Sequence, residues 1–155
     1  MDSKQVGFVG KTSQPGTSTP PSLNPFYVTG LAEGEASLTY TRNGNSLNLR
    51  FAIKLPESDR NLIFSLQGFF GGGQVYRVDE RTWMYCATSL DSIQKIVAHL
   101  DAFPFLGRKQ AEYAIWRQMF DLKRVPRKID LPTVTILADQ LSALRPRGRG
   151  PINHD

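Results

Sequence analysis

The sequence predicts an α+β fold in which helices cover one face of an antiparallel sheet, in the element order αββαββα with a small extra helix at the end. Three patterns lead there. Two strand-like stretches, Ala36–Arg42 and Ser46–Lys54, alternate apolar and polar residues on either side of Asn43-Gly44, a strong hairpin signal. A second hairpin pattern follows the triple glycine Gly71-Gly72-Gly73. Segments with apolar residues at helical spacing precede, separate and follow the two hairpins, and hairpins with helices on one side make a two-layer domain. With 155 residues the chain is long enough for one compact core.

Taken in order, residues 1–22 read as a flexible arm, because Ser13, Pro15, Gly16, Ser18, Pro20 and Pro21 prevent regular structure. Asn24-Pro25 opens a first helix running to about Glu33, with Asn as cap and Pro where no backbone donor is needed. In the first hairpin Ala36, Leu38 and Tyr40 share a face, as do Leu47, Leu49, Phe51 and Ile53. The opposite face is expected to be polar and basic. Ser58 is the expected cap of a second helix carrying Leu62, Ile63, Leu66 and Phe69. Gln74–Val78 and Thr82–Thr88 form the second hairpin around Asp79-Glu80-Arg81. A third helix spans Leu90–Ala102, with Ile93, Ile96, Val97 and Leu100 on one stripe. A fourth spans Arg108–Arg124, with Ala111, Ile115, Met119 and Leu122 facing inward. Pro132–Leu144 is the last helix. The organisation is therefore an arm (1–22), a main domain (23–125), a helical extension (126–144) and a basic, disordered tail (145–155) containing Arg145, Arg147 and Arg149.

Composition narrows the chemistry. The formal net charge is +5, and a basic surface attracts phosphate backbones. Cys86 is the sole cysteine, which excludes an internal disulfide and a zinc site of paired cysteines. With only His99 and His154, a metal would rest on carboxylate and backbone oxygens, suiting magnesium or calcium. No stretch approaches the ~20 apolar residues of a membrane span, and no apolar signal-peptide core follows Met1, so no membrane partner is expected.

Residues 28–36 read Val-Thr-Gly-Leu-Ala-Glu-Gly-Glu-Ala and follow Asn24-Pro25. With the αββαββα order and the segment His99–Tyr113, which contains Phe-Pro-Phe-Leu-Gly-Arg-Lys-Gln-Ala-Glu-Tyr, this stretch resembles the LAGLIDADG homing-endonuclease family over roughly residues 23–125. The resemblance implies a saddle-shaped antiparallel sheet and a site-specific, divalent-metal-dependent double-stranded DNA endonuclease. As a single-motif member the chain is implied to be a homodimer, and an organellar, intron-encoded setting is implied too. Gly30 and Gly34 lie on one helical face and permit close backbone approach; Phe26, Thr29, Gly30, Glu33 and Gly34 are the implied contact to a second copy.

In the family the acid matching Glu35, with the carbonyl before it, here Gly34, binds metal, and paired carboxylates holding cations suit phosphodiester hydrolysis. The basic residue that often precedes the late helix corresponds to Arg108 or Lys109, because Gly107 occupies the position where some members carry lysine. The implied DNA-reading positions are Ser37, Thr39, Thr41 and Asn43 on the first strand and Asn48, Arg50 and Lys54 on the second, with Arg77 and Arg81 as further candidates on the second hairpin. This chain has Ala36 where the motif usually ends in Gly, Ala52 where Gln is frequent, and Leu55-Pro56 where some members place a polar residue. Those departures, with the Arg-Gly tail, keep a second function open: a non-cutting relative that binds structured RNA as a maturase or ribonucleoprotein component.

Overall fold

The computed structural model describes residues 22–125 and 128–145. The arm predicted over residues 1–22, save its last residue, and the basic tail beyond Arg145 fall outside the described residues.

Helix α1 spans Pro25–Glu35; the Asn24 side chain accepts from Phe26 N at 2.8 Å, and Pro25 sits where no donor is required. It runs two residues beyond the predicted end and passes straight into strand β1 (Ala36–Asn43), where Ala36 N–H still reaches back to Ala32 O. Gly44, at φ +61°, turns the chain into β2 (Ser46–Pro56). A single 3₁₀ turn at Glu57–Asp59 comes next, so α2 (Arg60–Phe70) starts after Asp59 and Ser58 is not its cap. Gly71, left-handed at φ +71°, ends α2.

Strands β3 (Gln74–Asp79) and β4 (Thr82–Ala87) form the second hairpin, with only Glu80 and Arg81 in the turn. Helix α3 (Leu90–Ala102) has the predicted bounds, and the Ser89 side chain accepts from Ser92 N at 3.1 Å. Helices α4 (Lys109–Arg124) and α5 (Leu131–Leu144) complete the chain, the latter capped by Asp130. No helix among the described residues is long and apolar enough to cross a membrane.

The four antiparallel strands lie in the order β1-β2-β4-β3. Their inner face, carrying Leu38, Leu47, Leu49, Phe51, Ile53 and Tyr85, packs against Ile63 and Leu66 of α2, Ile93, Ile96 and Leu100 of α3, and Trp116 of α4. Among the described residues no helix packs on the outer face, whose buried cluster of Ala52, Met84 and Cys86 contains no helical residue. Helix α4 is rotated from its predicted orientation. It buries Lys109, Tyr113, Trp116, Met119 and Phe120, whereas Ala111 is exposed and Ile115 and Leu122 are only partly covered. An aromatic side chain removes ~150–250 Å² from water, so the rings at 113, 116 and 120 decide the orientation over the smaller aliphatics.

Strand β1 is an edge, and unpaired strand edges need covering. The Trp116 indole N–H donates to Thr39 O at 2.9 Å, and the Arg145 guanidinium donates to Leu38 O. Arg145, expected in the tail, is thus part of the folded domain, where its Nε also pairs with Glu112 Oε1 at 3.1 Å. Behind α1, the Thr29 hydroxyl donates to Phe103 O at 2.7 Å. Its oxygen must then accept from His99 Nε2, 3.0 Å away, which puts the imidazole proton on Nε2. The ring is packed by Phe69, Phe70 and Phe103, and burial holds its pKa below the ordinary value.

Two outcomes follow from this packing. Trp116→Ala, which empties a fully buried site, lowers unfolding free energy by ~3–5 kcal/mol in urea titrations; a loss below about 1 kcal/mol would show that α4 is not anchored there. The second concerns pH. The unfolded chain protonates His99 near its ordinary value of 6.5, and the folded chain does so only at lower pH. The folded state therefore binds fewer protons between those values, and stability falls as pH drops below 6.5 through that window. His99→Gln, which keeps an N–H for Thr29, flattens this part of the curve, and identical curves for both proteins would contradict the assignment.

Candidate nucleic-acid interface and metal-binding acid

Helix α1 divides its surface between the core and open space. Val28, Thr29 and Ala32 are buried by the chain itself. Phe26 is 72 % exposed and Tyr27 49 %, and Gly30 and Gly34 are exposed with nothing within 4 Å of where a Cβ would stand. An apolar aromatic pair continuous with a glycine stripe leaves backbone accessible along one side of the helix.

Thr29 does not belong to this open side, contrary to expectation. Its hydroxyl is committed to Phe103 and His99, and the residue is 7 % exposed. Glu33 also faces elsewhere. Its Oε1 accepts from Leu106 N at 3.0 Å and Gly107 N at 2.6 Å, clamping the loop before α4 onto α1. The approach at 107 is close: a Cβ there would lie 3.1 Å from the Glu33 carboxylate, so a larger residue would displace that side chain by a few tenths of an ångström. Of the five predicted contact residues, Phe26, Gly30 and Gly34 remain on the open side.

Glu35, the last residue of α1, is exposed at the point where helix becomes strand. The final carbonyls of a helix have no donor within it, so Gly34 O is available beside Glu35. Lys109 comes to the same helix end. It is 7 % exposed, and its Nζ donates to Glu33 O at 3.1 Å. A buried ammonium must be satisfied, and a helix C-terminus, with its partial negative charge, suits it. Arg108 is exposed one residue earlier. Among the described residues no three carboxylate, histidine or cysteine side chains cluster as a metal site.

The strand register sorts the predicted DNA-reading residues. Ser37 opposes Ala52, Thr39 opposes Arg50 and Thr41 opposes Asn48, so Ser37, Thr39, Thr41, Asn43, Asn48, Arg50 and Lys54 share the outer face, as expected. Arg77 does not. It pairs with Trp83 on the helix-covered side, donates to Glu57 Oε1 at 3.0 Å and lies 5.4 Å over the Trp83 ring. Arg81 sits in the two-residue turn, off the strand ladder, where its backbone N–H is held by Asp79.

Sequence reasoning missed Gln74, Tyr76, Met84 and Cys86, which the register adds to the outer face next to Ala52 and Lys54. Ala52, Met84 and Cys86 form a small buried cluster there, so the face is not uniformly polar. Arg50 lies over it, with Nε 3.3 Å from Cys86 Sγ and Nη2 3.1 Å from Met84 Sδ; Tyr76 Oη donates to the same Met84 sulfur at 3.0 Å. Sulfur is a weak acceptor, so both side chains are placed at the sheet centre without being tied to strong partners. The signal that could have revealed Gln74 and Tyr76 is their alternation with Val75, the one half-buried apolar residue of β3.

Residues 28–120, well over half of the chain, match the LAGLIDADG endonuclease family. The chain is 29% identical over 126 residues to an uncharacterized 50.9 kDa protein in ND4 intron 1 of Podospora anserina, covering 74% of this chain and 28% of that protein. It is 29% identical over 131 residues to a probable intron-encoded endonuclease 3 of Neurospora crassa, covering 79% of this chain and 24% of that one. The chain thus spans about a quarter of the length of these relatives. Its fold is shared with a crystal structure of the homing endonuclease I-TnaI (TM-score 0.72, 17% identity, 83% of this chain and 92% of that chain). It is shared also with the LAGLIDADG meganuclease I-AabMI bound to uncleaved DNA (TM-score 0.71, 21% identity, 79% of this chain and 45% of that chain). The chain belongs to the LAGLIDADG endonuclease family and has the fold of its homing-endonuclease members.

Proposed function

We propose that the chain is half of a metal-dependent, site-specific double-stranded DNA endonuclease, completed by a second copy packed against the open side of α1. The observation that carries this reading is the position of Glu35. It is exposed at the seam between a glycine-lined helix side and the polar-rimmed outer sheet face.

The donor set fits a hard divalent cation such as Mg²⁺ in one way only. At the end of α1 the described residues of one chain offer the exposed Glu35 carboxylate and the neighbouring Gly34 carbonyl. Those are oxygen donors of the right kind but too few for a cation that takes about six, and a two-fold partner supplies an equivalent set. When bound, the cation would supply Lewis acidity toward the scissile phosphodiester and lower the pKa of the attacking water. The protein's own residues do the rest. Lys109 neutralises the carbonyl end of α1 and fixes that terminus against the start of α4. Arg108, exposed at the same junction, is the cation free to meet negative charge developing on phosphate. On the sheet, Asn48, Arg50 and Lys54 together with Ser37, Thr39, Thr41 and Asn43 offer donors and acceptors to base edges in the major groove, and Gln74 and Tyr76 extend that surface.

The length relation supports a half-site: this chain covers 45% of two chains of the same fold that are bound to DNA or a DNA target. The intron-encoded relatives support an intron-encoded, organellar setting for the gene.

Two measurements test the proposal. Glu35→Gln keeps the shape of the side chain and removes its charge. Magnesium-dependent cutting of a randomised duplex library falls by about a thousandfold, since several kcal/mol of transition-state stabilisation is lost, while duplex binding is retained; undiminished cutting would remove Glu35 from the site. Gly30→Leu introduces a strong helix former where nothing stands within 4 Å. Unfolding free energy rises or holds, by up to about 1 kcal/mol, while sedimentation shows the dimer replaced by monomer. A Gly30→Leu dimer as stable as the wild type would contradict packing through this side of α1.

A further inference from the structure

Beside the proposed interface lie the Arg60–Trp83–Arg77 stack, the exposed side of α5 and a cleft on the edge of β1 that adjoins Ser37, Thr39, Arg108 and Lys109. The cleft carries the strongest argument. It has a volume of about 300 Å³ and is lined by Ser37 and Thr39 of β1, Arg108 at the start of α4, Lys109 and Glu112 within α4, and Arg145 at the end of α5. We propose that it is a phosphate-binding site for the DNA backbone immediately beside the cut, with Arg145 as its positioning cation. The inference rests on the reading of the chain as a DNA endonuclease and deepens it.

Three properties point to a phosphodiester rather than to a neutral ligand. Three cations against one carboxylate leave the lining with an excess of positive charge. Lys109 is committed to Glu33 O and Glu112 to Arg145, so the lining's exposed cationic surplus resides mainly on Arg108. The Arg145 guanidinium has five N–H donors. Its Nε serves Glu112 and its Nη2 serves Leu38 O, and Nη1 has no bond to a described residue. Ser37 and Thr39 add hydroxyl donors on the side of the cleft that belongs to the outer sheet face. Planar guanidinium groups with flanking hydroxyls match phosphate oxygens in charge and geometry.

Location decides which phosphate. Ala36 also lines the cleft, and it directly follows Glu35. A strand whose bases lie on the outer face near Ser37 and Thr39 brings its backbone over this opening. Helix α5 packs on α4 and delivers Arg145 to the β1 edge. The last helix thereby acquires a role in holding substrate.

The test uses the full chain and a duplex selected by it from a random library. In wild type, replacing single phosphates by neutral methylphosphonates weakens binding at several positions, one of them beside the cut. Arg145→Gln lowers the slope of log Kd against log salt concentration by about one, as expected for one lost phosphate contact. Its binding becomes insensitive to the methylphosphonate beside the cut, and Arg145→Lys restores both the slope and the sensitivity. A structural role alone would lower thermal stability in Arg145→Gln while leaving slope and sensitivity unchanged; that outcome overturns the phosphate site and leaves duplex binding intact. Failure of the unmodified protein to bind any duplex overturns the site together with the reading it rests on.

Discussion

The absence of a loop between α1 and β1 is the constraint on which the rest of this molecule depends. Glu35 ends a helix and Ala36 begins a strand, so the acid has no linker through which to move. Its position is set by two rigid elements. Val28 and Ala32 fix the helix against the core, and pairing to β2 fixes the strand from its first residue, where Ala36 faces Ile53. Thr29, bonded to Phe103 and His99, and Glu33, bonded to Leu106 and Gly107, hold the helix from behind and from its side. The helix is thereby pinned on three sides, and the fourth, with Phe26, Gly30 and Gly34, stays open. Glycines inside a helix cost about 1 kcal/mol each relative to alanine. Among the described residues nothing recovers that cost, since none approaches within 4 Å of where either glycine's Cβ would stand. On the proposed reading a second copy recovers it.

Much of this was legible in the residues. The hairpin periods and Asn43-Gly44 placed β1 and β2 within two residues of their observed ends, and the clean stripe of Ile93, Ile96, Val97 and Leu100 bounded α3 correctly. Strand alternation put the seven implied DNA-reading side chains of the first hairpin on the face opposite Leu38 and Phe51, and the register agrees. What failed needed information that pattern alone does not hold. Thr29 and Glu33 look like surface residues of α1 by spacing, but their partners, Phe103, Leu106 and Gly107, are some seventy residues away in sequence. Arg77 was ambiguous because β3 has little apolar alternation, and a bulge between Arg77 and Asp79 disrupts its parity. In α4 the aliphatic stripe through Ile115 and Leu122 competed with the rings of Tyr113, Trp116 and Phe120, and the larger buried area won.

Departures from the family pattern also acquire physical reasons. Gly107, where some members carry lysine, sits tight against the Glu33 carboxylate, 3.1 Å from the place a Cβ would occupy. The cation of that region is instead Lys109, buried against the carbonyl end of α1, with Arg108 exposed beside it. Ala52 joins Met84 and Cys86 in a small apolar cluster roofed by Arg50 and Tyr76. The outer face therefore has a packed centre that holds its two largest polar side chains in place, surrounded by shorter hydroxyl and amide groups.

The central claim is that two copies of α1 meet through their glycine-lined sides. Cysteine cross-linking reports this contact directly. In a Cys86→Ser background, Gly30→Cys places one thiol on the open side of the helix, and a disulfide requires Cα atoms within about 7 Å. The account predicts a covalent dimer on mild oxidation that still binds duplex DNA. A protein that stays monomeric under those conditions, while a cysteine elsewhere on its surface cross-links, would contradict it.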